Sequence, residues 1–71
     1  MKTRVQALEE MKALLEDDLV RQNIIAEYKK YQFENDEKLK GNAEADKELK
    51  AAIFGVYKTE AMLKWIANEL K

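Results

Sequence analysis

The sequence predicts an all-α fold, and three observations carry that prediction. Pro is absent, Gly occurs only at positions 41 and 55, and Ala, Leu, Glu and Lys dominate the chain. Pro and interior Gly cost a helix most, whereas the four common residues are among those that cost it least. A length of 71 residues allows one small domain, spanning 1–71, near the lower limit at which an unaided hydrophobic core offsets the entropy of folding.

The first element is predicted to start near residue 4. Thr3 and Gln6 have the spacing of a capping box, in which the hydroxyl and the amide side chain satisfy two backbone N–H groups left open at a helix start. The next punctuation is Lys38-Leu39-Lys40-Gly41-Asn42, where Gly41 can take the left-handed conformation that ends a helix and Asn42 can cap a new one. Lys38 and Lys40 would then lie at the negative end of the outgoing helix dipole, and Glu44 and Asp46 at the positive end of the incoming one. So tight a turn makes the two segments antiparallel neighbours.

Within the first segment, residues 4–40, the apolar stripe changes side. At 100° per residue, Val5, Leu8, Met11, Leu15 and Leu19 share one face, while Val20, Ile24, Tyr28 and Tyr31 share another nearly opposite. Two readings follow: a break at Asp17-Asp18, giving three helices, or one continuous helix whose halves pack against different partners. Asp caps well but is tolerated inside a helix at modest cost, so both stand.

In the second segment Leu49, Ala52, Val56, Leu63, Ile66 and Leu70 form an a/d-type seam interrupted by Thr59. Phe54, Ala61 and Trp65 lie across the helix from that seam, with Tyr57 and Met62 beside them. A hairpin alone would leave this second face in water, and large aromatics in such a patch mark a contact surface. Gly55, a turn after Ala51 and a turn before Thr59, either forms a groove of small residues that admits another helix or is simply tolerated at about 1 kcal/mol.

Composition narrows the function. With no Cys and no His, neither a disulfide nor a soft-metal centre can support so small a core, which leaves a partner chain; the expectation is a helical-bundle homodimer. Thirteen basic residues against fourteen acidic ones give little long-range attraction to a polyanion or an anionic membrane. The acidic first twenty residues do not resemble a signal peptide and no apolar run is long enough to span a bilayer, so a soluble, cytoplasmic protein is expected.

No motif for chemistry is complete. Adjacent acids such as Glu9-Glu10 and Glu16-Asp17-Asp18 point in different directions on a helix and do not converge on a substrate. A calcium loop begun at Asp36 would place Gly41 correctly but Lys38, Lys40 and Lys47 where oxygen ligands belong. Ser is missing along with Cys and His, and two glycines cannot build a phosphate-cradling loop. No enzymatic activity, cofactor or metal is expected.

The stretch Tyr28-Lys29-Lys30-Tyr31-Gln32-Phe33 mixes lysines with aromatics, as single-stranded nucleic acid sites do. On a helix, however, Tyr28 and Tyr31 continue the stripe of Val20 and Ile24 while the lysines point elsewhere, and Glu34, Asp36 and Glu37 follow closely. A core stripe with solvated lysines is the favoured reading. The layout is similar to that of small plasmid-encoded RNA-binding four-helix-bundle dimers, a likeness of architecture carried by no motif, and fold does not settle function.

The function expected is non-enzymatic protein binding, as an adaptor, inhibitor or regulator, with Phe54, Tyr57, Ala61, Met62 and Trp65 as the protein-binding residues. Two alternatives stand beside it: a dimeric nucleic-acid-binding regulator using Lys29, Lys30, Lys38, Lys40 and Lys47, and a structural assembly module.

Overall fold

A computed structural model describes all 71 residues, Met1–Lys71, as two packed helices, α1 (Arg4–Asn35) and α2 (Ala43–Glu69). Contacts along their length fix an antiparallel hairpin. Arg4 lies 3.5 Å from Glu69 at one end, Thr59 lies 3.1 Å from Gln22 in the middle, and Lys29 lies 3.8 Å from Glu48 toward the turn.

The α1 start is set by the capping box. Gln6 N–H donates to Thr3 Oγ1 at 3.1 Å, and Thr3 N–H donates to Gln6 Oε1 at 3.0 Å. The helix then runs unbroken through Asp17 and Asp18, so the apolar stripe changes side along one continuous rod. Its end differs from the sequence expectation, falling at Asn35 instead of Lys40. Asp36 leaves the helix with extended backbone; its carboxylate accepts from Lys38 N–H at 3.0 Å and its carbonyl from Leu39 N–H, also at 3.0 Å. These local bonds compete with continuation of the helix and win. Lys38 and Lys40 therefore fall in the turn and make no last-turn contribution to α1.

Gly41 adopts φ +76°, the left-handed conformation that glycine takes without strain. Asn42 Oδ1 then accepts from Glu44 N–H at 2.9 Å and Ala45 N–H at 3.2 Å, capping α2 as its position predicts. Glu44 and Asp46 occupy the first turn of α2, where their charge favours the dipole.

The seam predicted on α2 is the one that packs. Val56, Thr59 and Ile66 are buried, and Leu49, Ala52, Leu63 and Leu70 are half-buried. On α1 its counterpart begins with buried Leu8 and half-buried Leu15 and Leu19, then continues through Gln22, Ala26, Lys29 and Phe33. The stripe of Val20, Ile24, Tyr28 and Tyr31 is not core: Tyr28 is 58% and Tyr31 64% exposed. This corrects the sequence reading, and the cause is geometric. A straight α1 can present only one line to α2, and the line fixed by Leu8, Leu15 and Leu19 continues into small and polar residues.

The molecule is long for its mass. Its dimensions are 52 × 19 × 15 Å, with a radius of gyration of 16.1 Å, against about 11 Å for a compact chain of this length.

Candidate functional site

The residues predicted to bind protein lie on one surface of α2. Phe54, Tyr57, Ala61 and Trp65 are exposed on the side of the helix turned away from α1, and Met62, also exposed, lies on the flank between that face and the seam. Phe54 is 62% and Trp65 51% exposed, although each ring carries enough apolar area to fill a core position. From Phe54 to Trp65 the face runs about 16 Å along the axis at 1.5 Å per residue. Lys58 Nζ stands 5.5 Å from the centre of the Phe54 ring, a cation–π distance that leaves the patch one positive charge at its centre.

The seam behind this face holds a polar relay at mid-height. Asp18 Oδ2 accepts from Gln22 Nε2 at 2.7 Å; the Thr59 hydroxyl lies 3.1 Å from Gln22 Oε1 and 3.0 Å from the Gly55 carbonyl, either of which can accept its single proton. No buried side-chain polar atom lacks a partner. Around this relay the packed residues are small, namely Ala26, Ala52 and Gly55. Gly55 thus faces α1 of its own chain, with Gln22 as the neighbour an added Cβ would meet.

The chain matches no protein-family model, and no curated protein or solved structure is significantly similar to it.

The outer side of α1 carries a second apolar surface, of which the sequence reading named only part. Val20, Ile24, Tyr28 and Tyr31 are exposed there, and Leu14 and Ile25 are exposed on the flank between that stripe and the α2 contact. Their signal was present in the spacing: Leu14 and Ile25, eleven residues apart, fall within about 20° of one another on a helix.

No three potential metal ligands come together, and no helix is long and apolar enough to cross a membrane. An open cleft of about 260 Å³ near the turn is lined by Lys29, Gln32, Phe33, Leu39, Ala45 and Glu48. Lys29 and Glu48 face each other across it at 3.8 Å, so the two charges there are directed at one another.

Proposed function

We propose that this chain is a non-enzymatic helical module acting by stoichiometric protein contact, as an adaptor, inhibitor or regulator. Phe54, Tyr57, Ala61, Met62 and Trp65 form the surface offered to the target, and the working unit is a homodimeric helical bundle in the cytoplasm. The observation that carries this reading is the exposure of two large aromatic rings on the α2 face opposite a seam that already packs. Trp and Tyr supply large, rigid contact area at low entropic cost, which is why they dominate energetic hot spots.

Surface area supports the dimer. The hairpin exposes 5833 Å², against about 4,600 Å² expected of a compact monomer of 8.3 kDa. The excess, about 1,200 Å² per chain, amounts to roughly 2,500 Å² for a pair, within the range of obligate homodimers.

The test is affinity capture from the native host with the wild-type chain and with Trp65→Ala in parallel. A protein retained by the first and lost by the second, with helicity unchanged by circular dichroism, is the expected result; identical co-purifying sets would overturn the reading. A nucleic-acid-binding role through the turn lysines would instead give retardation of RNA or DNA that weakens steeply with salt. Sedimentation of species larger than a dimer would point to an assembly module.

A further inference from the structure

We infer that the aromatic face of α2 takes an amphipathic helix of another protein, one whose apolar stripe is flanked by Asp and Glu. This rests on the protein-contact reading above and names the chemistry of its target. Phe54, Ala61 and Trp65 lie within about 40° of arc, with Tyr57 about 40° further round. Steps of three or four residues between them have the spacing of a helix–helix seam. Ala61, the small residue of the strip, leaves room among its larger neighbours for a ridge of an incoming helix. Three turns of that helix, about 11 residues, match the length of the strip.

The charges beside the strip are of one sign. Lys58 stands on one side of the line through Phe54, Ala61 and Trp65, and Lys50 and Lys64 stand on the other, all exposed. Glu60 is the only acid between Leu49 and Asn68, and it is turned about 120° from that line. Lys58 and Lys64 have no ion-pair partner in the chain, whereas Lys50 is held by Asp46 at 2.9 Å. Flanking charges of a helical seam select its partner more than they add affinity. Lysines on both flanks repel a second copy of the same face and favour carboxylates.

The outer side of α1 is the opposite case, with Glu9, Glu10, Glu16, Asp17, Glu27 and Glu34 against Arg21 as its single base. The net charge of -1 thus divides into an acidic side and a basic one. A second copy's α1 therefore has the right chemistry, but that contact joins two different faces and propagates from chain to chain instead of closing into the dimer proposed above. Single-stranded nucleic acid also takes lysines beside aromatics, yet so sparse a lysine set on a chain of net negative charge gives a polyanion little attraction.

Trp65 is the only tryptophan, so its emission reads this face directly. The probes are two stapled helical peptides with the same leucine stripe, one flanked by Glu and the other by Lys. The Glu peptide shifts Trp65 emission to the blue and saturates; the Lys peptide binds about tenfold more weakly by the same signal. Lys58→Glu combined with Lys64→Glu reverses that preference at unchanged helicity, and Phe54→Ala weakens both peptides at least tenfold. Equal affinities, no shift with either peptide, or a preference unmoved by the double variant would overturn the inference. Tighter binding of oligothymidylate than of the Glu peptide would overturn it in favour of nucleic acid. Low-salt species larger than a dimer that the double variant disperses would overturn it in favour of a second copy's α1. The protein-contact reading is judged separately: a target captured by the wild type and lost in Trp65→Ala keeps it standing even where the peptides show no charge preference.

Discussion

At the height where Gln22 meets Thr59, the inside and outside of the hairpin are built the wrong way round for a lone domain. Between the helices stand Gln22, Ala26, Ala52 and Gly55; facing solvent are Val20, Ile24, Phe54 and Tyr57. The seam buries only three aliphatics, Leu8, Val56 and Ile66, and of these only Ile66 is fully enclosed. The seam therefore sets which residues of α1 meet which of α2, while most of the large apolar area lies outside it. A buried Thr with a hydrogen-bonded Gln fixes register well, because sliding α1 along α2 would strand the hydroxyl against carbon. It contributes little apolar burial. The outer faces hold the side chains that a compact protein of this size would use as its core, and this is the physical basis for assigning them partners.

The sharpest way to break that contrast uses two neighbouring residues. Ile66 is 0% exposed, and Ile66→Ala is expected to cost about 2–5 kcal/mol through lost burial and an unfilled cavity. That is a large share of the roughly 4–10 kcal/mol available to a chain of this length, so thermal melts followed by circular dichroism should show most of the cooperative transition lost near room temperature. Trp65→Ala, one residue away on the outer face, should change hairpin stability by no more than about 0.5 kcal/mol. Equal destabilisation by both would place Trp65 in a core and remove the distinction between seam and contact surface.

A middle-sized effect tests the relay. Thr59→Val keeps the shape but leaves Gln22 Oε1 against a methyl group, and should cost about 1 kcal/mol in urea denaturation. Adding Gln22→Leu should recover most of that loss, because two apolar groups then meet where two polar ones did. If the double variant loses more than the single, the relay contributes stability as well as register.

The local devices were legible in the sequence. Thr3 with Gln6, Gly41 with Asn42, and the Leu49–Leu70 seam all appear where the spacing of residues places them, because each depends on neighbours within a turn or two. Two features were not. The end of α1 at Asn35 rests on which of several nearly equal local bonds Asp36 makes, and the sequence weights Gly41 more visibly. The direction α1 faces is a tertiary choice: Val20, Ile24, Tyr28 and Tyr31 make a stronger apolar pattern than Gln22, Ala26 and Lys29, yet the second line packs, because Leu8, Leu15 and Leu19 and the α2 seam commit the straight rod to it. The Phe54–Trp65 face was legible as a face, since it lies opposite a seam strong enough to claim α1.

The smallest expected effect decides between two accounts of Gly55. An added Cβ there would meet only Gln22 Oε1, at 3.7 Å, an ordinary van der Waals contact, and no positive φ is recorded for this residue. Within the hairpin, then, nothing demands glycine. Gly55→Ala should raise stability by about 1 kcal/mol, the difference in helix propensity, and lift Tm by a few degrees without altering the sedimentation profile. A fall in Tm, or a loss of dimer, would mean that another helix approaches across Ala51 and Gly55. The self-contact would then lie on the flank of α2.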